Sequence, residues 1–188
     1  MNISGKRVLL TGADGFIGSH LAEALLDEGC LLRAFVCYNS FNTWGWLDTL
    51  SKDQLSKIEI FSGDIRDPNG VRQAMLDCDF VFHLAAQAIV SESYKNPLDT
   101  ITSNVVGTTN ILKTLSKVDF NCIAVLITSD KVYENLEWNW GYRENDVLGG
   151  KDIYSGSKAA AELIIKSFWY SFLKDKTNIR IGIGRAGN

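Results

Sequence analysis

Residues 7–18 have the sequence Arg-Val-Leu-Leu-Thr-Gly-Ala-Asp-Gly-Phe-Ile-Gly, and this stretch decides the fold. Its first half is a short apolar run, which is typical of a buried strand. Its second half places glycines at positions 12, 15 and 18 and leads into a helical pattern that Gly29 ends. We therefore predict a strand over Arg7 to Leu10, a tight glycine turn, and a helix from about Phe16 to Glu28.

The same alternation of apolar runs and helical patterns continues along the chain. It predicts an α/β fold, a Rossmann-like doubly wound parallel sheet with helices on both faces. The further predicted strands are 32–37, 58–61, 80–84, 123–128 and 179–183, and the further predicted helices are 68–76, 100–115 and 155–172. Two long loops, 39–46 and 138–150, are rich in aromatic and polar residues. No repeat or linker divides the 188 residues, so we predict one domain of ordinary size.

Composition limits the classes of function. A net charge of -3 without a basic patch argues against nucleic acid as the main partner, and the presence of only two histidines argues against a zinc site. Neither a signal peptide nor an apolar run of membrane-spanning length is visible, so we expect a cytoplasmic protein. The four cysteines are widely spaced, and we predict that all are reduced and buried in the core. Their positions are Cys30, Cys37, Cys78 and Cys122.

The glycine turn has the spacing of a dinucleotide-binding fingerprint. Gly12 permits the tight turn, Gly15 lets the backbone approach a pyrophosphate, and Gly18 allows close packing of helix against strand. The start of the helix would then offer free N–H groups and its positive dipole end to the diphosphate. The other residues of the turn that we expect to contact the cofactor are Asp14, Phe16 and Ile17.

The acid that usually binds the adenosine ribose is missing after the second strand. That strand ends at Cys37, the next acidic residue is Asp48, and no arginine follows the strand to hold a 2′-phosphate. NAD is therefore favoured over NADP only modestly by the residues themselves. Asp64 and Ile65, after the third strand, are placed to receive the adenine, and the alternative for Asp64 is that it caps a turn.

Two groups of reactive side chains lie between residues 128 and 158. Tyr154 and Lys158 are four residues apart on a predicted helix and share one face, so the ammonium can lower the pKa of the phenol. At the end of the fifth strand, Ser129, Asp130 and Lys131 offer a hydroxyl, a proton donor and a possible base. Together they indicate a redox site that also moves protons at a second carbon. The alternative is a surface turn followed by an ordinary charged helix.

Several motifs together resemble the extended short-chain dehydrogenase/reductase family over essentially the whole chain. They are the glycine spacing, Asp64-Ile65, His83-Leu84-Ala85-Ala86-Gln87, Asn104 and Tyr154-x-x-x-Lys158. The resemblance implies that Leu84, Ala85, Ala86, Gln87 and Asn104 also contact NAD. Residues 128–146 and 185–188 are similar to the CDP-glucose 4,6-dehydratase subfamily, because Asp130-Lys131 stands where other nucleotide-sugar dehydratases have Asp-Glu. Residues 38–46 resemble NAD-dependent dehydratases of UDP-linked amino sugars instead, which leaves the sugar nucleotide open.

The resemblance implies an internal redox cycle with a tightly bound NAD that yields a 4-keto-6-deoxy sugar. Tyr154 would take the proton of the 4-hydroxyl, while Lys158 would lower the phenol's pKa and bind the nicotinamide ribose. Lys131 would remove the C5 proton as a neutral amine. Alternatively, it would stay charged and stabilise the enolate, with water or Glu134 as the base. Asp130 would protonate the leaving 6-hydroxyl.

The remaining expectations concern substrate contacts and assembly. We expect Gln87, Ser129 and Asn188 to contact the nucleotide-sugar, with Ser129 at the 4-oxygen or, alternatively, as a strand-end cap. Asn104 either lines the site or holds backbone between strands. Family members are nearly twice as long and carry a C-terminal substrate domain, so residues 1–188 correspond to the NAD-binding domain. The family also implies a homodimer through helices 100–115 and 155–172. The alternatives to a dehydratase are a nucleotide-sugar 4-epimerase and an inactive NAD-binding fragment.

Overall fold

The computed structural model describes residues 2–187 and contains one six-stranded sheet. The strands are β1 (Arg7–Thr11), β2 (Leu31–Cys37), β3 (Glu59–Gly63), β4 (Phe80–His83), β5 (Cys122–Ser129) and β6 (Ile179–Ala186). All neighbouring strands pair in parallel, in the order β3-β2-β1-β4-β5-β6. This order reverses direction between β1 and β4, as in doubly wound nucleotide-binding folds. The predicted fold class is confirmed.

The helices are α1 (Phe16–Asp27), α2 (Lys52–Ser56), α3 (Pro68–Met75), α4 (Val90–Lys95), α5 (Pro97–Ile101), α6 (Gly107–Leu115) and α7 (Ile153–Phe168). Short 3₁₀ turns lie at Gly45–Thr49 and Asp130–Val132, and π-turns lie at Thr102–Val106 and Trp169–Leu173. The predicted helix 100–115 is therefore interrupted by a π-turn, and the predicted helix 155–172 changes to a π-turn before its end. In the part of the chain that the structure describes, no helix combines the length and apolar character needed to cross a bilayer.

Two apolar layers cover the two faces of the sheet. On one face, Leu9 and Leu126 from the sheet pack with Ile111 of α6 and Ile165 of α7. On the other face, Val8 and Leu10 pack with Leu25 of α1 and with Leu47 from the 3₁₀ turn after β2. Apolar residues of β2 complete this second layer: Leu32, Ala34 and Val36. Adjacent residues of β1 point to opposite faces because side chains alternate along a strand.

Three of the four cysteines lie in the core, as predicted. Cys30, Cys78 and Cys122 are buried free thiols, and burial raises the pKa of Cys78 to about 11 and that of Cys122 to about 12. They are therefore poor nucleophiles at neutral pH. The prediction was wrong for Cys37, which is exposed because it is the last residue of β2 and opens onto the edge of the sheet where the cleft lies.

Candidate active site

A cleft of about 550 Å³ opens at the carboxyl ends of β1 and β4, where the strand order reverses. Ligands of doubly wound folds bind at such a switch point. The cleft is lined by the glycine turn, by the ends of β2 and β3, and by the segment after β4. Among the predicted cofactor contacts, those that line it are Gly12, Asp14, Gly15, Phe16, Ile17, Gly18, Asp64, Ile65, Leu84, Ala85, Ala86 and Gln87.

The three glycines of the turn are required for different reasons. Gly12 has φ +71°, and a Cβ there would lie 2.7 Å from the Ala85 backbone nitrogen. A Cβ at Gly18 would lie 2.0 Å from the Gly12 carbonyl oxygen, so these two glycines allow the chain to pack on itself. Gly15 has an ordinary φ of −79°, and a Cβ there would contact only the Gly12 oxygen, at 3.3 Å. A Cβ at position 15 would therefore need the Gly12 oxygen to shift by a few tenths of an ångström, which is a smaller demand for glycine than at the other two positions.

The amino end of α1 faces this cleft without a cap of its own. Gly15 is the N-cap residue, no side chain caps the helix, and its first turn carries no acid. The first N–H groups of the helix and its positive dipole end are therefore available to an anion. With the open space at Gly15, these groups fit the diphosphate of a dinucleotide.

An ion-pair cluster lies at the end of the cleft beside β3. The Asp64 carboxylate accepts hydrogen bonds from Arg66 Nε at 2.9 Å and Nη2 at 2.6 Å, and Arg66 Nη1 bonds Asp99 Oδ1 at 2.5 Å. Hydrogen bonding from Arg66 holds the pKa of the Asp64 carboxyl below its usual range. Asp64 also accepts the Arg66 N–H at 2.8 Å, so it caps a turn and lines the cleft at once. Arg66 was not predicted as a cleft residue.

Asn104 connects the cofactor cleft to α7. It is buried in the π-turn before α6, and its amide accepts the Gln87 N–H at 2.8 Å and donates to the Gln87 carbonyl at 3.0 Å. The same amide donates to Ser157 Oγ at 2.9 Å. The side-chain amide of Gln87 already forms hydrogen bonds within the protein, to Thr100 Oγ1 and to both the N–H and the carbonyl of Ile89. Asn104 thus has the backbone-holding role, and π-turns recur at functional sites.

Tyr154 and Lys158 lie at the start of α7 and are both buried. Burial lowers the pKa of Lys158 to about 8, and its ammonium makes one long hydrogen bond, of 3.5 Å, to the Ile127 carbonyl. Within residues 2–187 the Tyr154 hydroxyl makes no hydrogen bond, so it remains available for a ligand. The nearby His83 is buried between Thr11 Oγ1 at 2.8 Å and Thr108 Oγ1 at 3.1 Å. Burial, together with the Lys158 charge, lowers the pKa of His83 to about 3, so it is neutral.

The polar residues after β5 border a second cavity, of about 620 Å³, that reaches the start of α7. Asp130 and Lys131 line it together with Ser155, and both are exposed. Ser129 Oγ accepts the Lys131 N–H at 3.2 Å and donates to Asp130 Oδ1 at 3.0 Å. Ser129 therefore caps the 3₁₀ turn, which was the alternative foreseen for it. Asn188 lies outside the described residues.

A network centred on Arg185 holds the aromatic loop over this cavity, and the sequence did not reveal it. Arg185 Nη2 bonds Glu162 Oε2 at 2.6 Å, and Thr128 Oγ1 donates to Glu162 Oε1 at 2.6 Å. Arg185 Nη1 donates to the Tyr133 hydroxyl at 2.7 Å and to the Glu144 carbonyl at 3.1 Å. The guanidinium thereby joins β6 to α7 and the loop, and Glu162 extends the network to Thr128 of β5. Glu162 follows Lys158 by one helical turn on the same side of α7, and residues 185–188 resembled a dehydratase motif, but neither signal indicated that Arg185 and Glu162 pair.

Tyr133 extends this network into the loop. Its ring stacks on Tyr142 with the ring centroids 4.8 Å apart, and its backbone pairs with Leu148 as an antiparallel bridge. Gly150 returns the loop to α7 so closely that a Cβ there would lie 2.4 Å from the Gly156 nitrogen. The structure therefore brings together a dinucleotide cleft, a buried Tyr–Lys pair, and a polar cavity that carries a carboxylate and an ammonium.

Comparisons with known proteins agree with this arrangement. Residues 9–182 match the sequence profile described as GDP-mannose 4,6 dehydratase. The CDP-glucose 4,6-dehydratase of Salmonella typhimurium is 39% identical over 197 aligned positions, which cover 98% of this chain and 52% of that protein.

Two solved structures of comparable fold are nucleotide-sugar epimerases. UDP-N-acetylglucosamine 4-epimerase from Methanobrevibacter ruminantium, solved with UDP-N-acetylmuramic acid, has a TM-score of 0.80 and 27% identity, covering 97% of this chain and 55% of that chain. UDP-glucose 4-epimerase from Thermus thermophilus, solved with NAD, has a TM-score of 0.76 and 27% identity, covering 95% and 54%. This chain spans about half the length of the relatives it matches.

Proposed function

The chain belongs to the GDP-mannose 4,6 dehydratase family, and from that premise we propose that it supplies the NAD-binding domain of a nucleotide-sugar 4,6-dehydratase. The proposed reaction is of the CDP-glucose type, in which the sugar loses one water and becomes a 4-keto-6-deoxy sugar. The 39% identity to the Salmonella typhimurium enzyme supports this choice of nucleotide-sugar. A second, C-terminal part of the relatives would complete the substrate site.

The observation that carries the proposal is the meeting of two sites at one edge of the sheet. The glycine cleft lies at the ends of β1 and β4, and the Asp130–Lys131 cavity lies at the end of β5, the next strand. Lys158 and Tyr154 line neither cavity, but the Lys158 ammonium bonds the Ile127 carbonyl of β5, and Ser155 of the same helix lines the Asp130–Lys131 cavity. The chemistry that a bound NAD supplies is reversible hydride storage, which allows oxidation and reduction within one cycle without net change.

Tyr154 is the proposed acid–base group at the 4-oxygen of the sugar. The residue is buried, but its hydroxyl oxygen keeps access to solvent and makes no hydrogen bond within residues 2–187, so its proton can pass to or from a substrate oxygen. Lys158 lies one turn further along α7, and with a pKa of about 8 it is mostly charged at neutral pH. A charged ammonium in a buried setting stabilises a phenolate, and its unused N–H groups would hold the nicotinamide ribose.

Asp130 and Lys131 are the proposed residues for the loss of water. Asp130 would protonate the leaving 6-hydroxyl, and Lys131 would act at C5. Both side chains are exposed, so the desolvation that a neutral lysine base needs would have to come from the bound sugar. The other role, a charged Lys131 that stabilises the enolate while water or Glu134 takes the proton, needs no such change. Ser129 and Gln87 are proposed to contribute to the sugar site next to Tyr154, and Asn188 to contact the nucleotide-sugar.

Homodimerisation through α7 and the helical segment 97–115 is also proposed. Leu98, Ile101 and Val106 are exposed on that segment, and Leu163 and Tyr170 are exposed on α7 and its π-turn. The two helical segments contact each other, so their apolar residues can form one surface for a second copy. Sedimentation of the wild type and of Leu163→Asp tests this part: a dimer that becomes a monomer supports it, and a wild-type monomer refutes it.

The test of the proposed reaction uses the protein encoded by the complete reading frame that contains these residues. It is incubated with NAD and, separately, with CDP-glucose and UDP-N-acetylglucosamine, and the product masses are measured. Loss of one water supports a dehydratase and identifies its nucleotide-sugar. A changed sugar of unchanged mass indicates the 4-epimerase, and an unchanged substrate in both reactions refutes the proposal.

A variant of Lys131 tests whether this residue acts in the loss of water and not in the oxidation at C4. Lys131→Met should retain the rise in absorbance from reduced cofactor and lose both dehydration and exchange of the C5 proton with D₂O. The control is Lys117→Met, which removes an exposed lysine from the turn that precedes β5, at the other edge of the sheet. C5 exchange that continues unchanged in Lys131→Met would exclude Lys131 both as the base and as the group that stabilises the enolate.

A further inference from the structure

The adenosine end of the cofactor cleft lacks the acid that normally ends β2, since Cys37 occupies that place. Other carboxylates lie nearby, and the structure shows how each is used. They are Asp14 in the glycine turn, Asp48 in the 3₁₀ turn, Asp64 after β3, and Asp99 in α5.

Three of these carboxylates are already occupied or lie away from the cleft. Asp64 and Asp99 both bond Arg66, at 2.6 Å and 2.5 Å. Asp48 accepts the Trp44 N–H at 3.0 Å and does not line the cleft. The Asn39 amide just after β2 is used as well, since its oxygen accepts the Phe41 N–H at 3.0 Å and its nitrogen donates to the Thr43 carbonyl at 2.7 Å.

Asp14 differs because its carboxylate bridges from the glycine turn to the end of β2. Oδ2 accepts the Cys37 N–H at 3.0 Å, while Oδ1 accepts no hydrogen bond from any residue between 2 and 187. Asp14 is half-buried and lines the cleft. Its backbone is also fixed, because its carbonyl accepts the Trp46 N–H at 2.9 Å, and a Cβ at Gly45 would lie 2.5 Å from the same oxygen.

We infer, resting on the proposed function, that Asp14 replaces the missing acid of β2, so that its carboxylate accepts the adenosine 2′-hydroxyl of NAD and repels the 2′-phosphate of NADP. A carboxylate at this edge of the cleft provides a strong acceptor for a ribose hydroxyl. The same charge is unfavourable to a phosphate that carries close to two negative charges. The carboxylate that selects NAD over NADP would thus lie in the glycine turn after β1 and not at the end of β2.

The charges around Cys37 agree with this assignment. Although much of Cys37 is exposed, partial desolvation of its thiol raises the pKa, and the charges of Asp14, Asp64 and Asp99 raise it further. Arg66 opposes them, but it is already paired with two carboxylates. The end of β2 is therefore a negative environment in spite of the arginine that lines the cleft.

The test measures binding instead of activity. Calorimetric titrations of the wild type, Asp14→Asn and Asp48→Asn use three probes: NAD, NADP, and NAD that lacks the adenosine 2′-hydroxyl. Asp14→Asn keeps an oxygen for the Cys37 N–H and removes the charge, and Asp48→Asn is the matched control, since it removes a charge from a neighbouring turn outside the cleft.

We expect the wild type to prefer NAD over NADP, and Asp14→Asn to reduce that preference at least tenfold while Asp48→Asn preserves it. We also expect loss of the 2′-hydroxyl to weaken binding to the wild type by about 10- to 100-fold, the range for a hydrogen bond to a charged group. This last measurement needs no variant to fold. If Asp14→Asn binds NAD with unchanged preference over NADP, or if the wild type binds the probe without the 2′-hydroxyl as tightly as NAD, the role assigned to Asp14 is refuted and the proposed function is not. Absence of NAD binding to the wild type overturns the proposed function and the assignment with it.

Discussion

The Arg185–Glu162 pair gives the sharpest energetic prediction. The Glu162 side chain is 3% exposed and that of Arg185 17%. Glu162 receives hydrogen bonds from Arg185 Nε at 2.9 Å, from Nη2 at 2.6 Å, and from Thr128 Oγ1 at 2.6 Å. In Arg185→Met the carboxylate would stay buried with Thr128 as its remaining partner. Leaving one charge of a buried pair uncompensated costs about 3–5 kcal/mol of unfolding free energy.

Replacing both partners should cost much less than replacing one. In Arg185→Met/Glu162→Met no buried charge remains, so the double variant should lie within about 1–2 kcal/mol of the wild type. The coupling energy of the double-mutant cycle is then at least about 2 kcal/mol. Urea unfolding of the single and double variants measures it. The exposed pair Lys57–Asp53 is the control, for which Lys57→Met should cost less than about 1 kcal/mol.

Additive single variants would refute this reasoning, as would an Arg185→Met cost no larger than that of Lys57→Met. If Arg185→Met does not fold but the double variant does, the defect comes from the uncompensated Glu162 charge and not from the loss of packing by the arginine side chain. Cleavage of the loop at residues 134–147 by a protease should also become faster in both Arg185 variants, because Arg185 bonds Tyr133 and the Glu144 carbonyl.

Three further predictions concern the cleft. Because His83 has a folded pKa of about 3 against 6.5 for the free side chain, the unfolded chain binds more protons between these values, and stability falls as pH falls below 6.5. Between pH 6.5 and 4.5 the wild type should lose about 2 kcal/mol more than His83→Gln in urea unfolding, and equal losses would contradict a buried neutral histidine. Gly18→Ala should fail to fold or melt far below the wild type, whereas Gly141→Ala, which has nothing within 4 Å of its Cβ, should melt like the wild type. Asn104→Ala removes hydrogen bonds to Gln87 and Ser157 and should lower the unfolding free energy by about 2–4 kcal/mol. A loss below about 0.5 kcal/mol would show that these hydrogen bonds do not stabilise the fold.

The fold could be predicted because its signals are local. Alternating apolar runs identified all six strands, and Gly12, Gly15 and Gly18 identified the turn before α1 within a short window. The boundaries were less accurate where tertiary contacts set them: β6 runs to Ala186, three residues past its predicted end, because it pairs with β5 along its length. The helices α2, α4 and α5 are too short to produce a clear periodic pattern.

The candidate site was predictable in part. Tyr154 and Lys158 are neighbours on one helix, so their spacing was sufficient to pair them. The Arg185 network was not predictable, since its partners Thr128 and Glu162 are 57 and 23 positions away in the sequence and meet only when β6 packs beside β5 and α7. Arg66 escaped notice for a similar reason, because only the fold brings Asp99 and the end of β2 beside it.

The central claim, that the glycine cleft binds NAD, is tested most directly by calorimetric titration of NAD into the wild type and Gly15→Ala. A methyl group at position 15 would approach only the Gly12 oxygen, at 3.3 Å, and a shift of a few tenths of an ångström accommodates it, so the variant should fold. Gly182→Ala, where a Cβ meets nothing within 4 Å, is the control. We predict one NAD per chain for the wild type and the control, and binding at least tenfold weaker for folded Gly15→Ala. No binding by the wild type, or equal binding by Gly15→Ala, would contradict the claim.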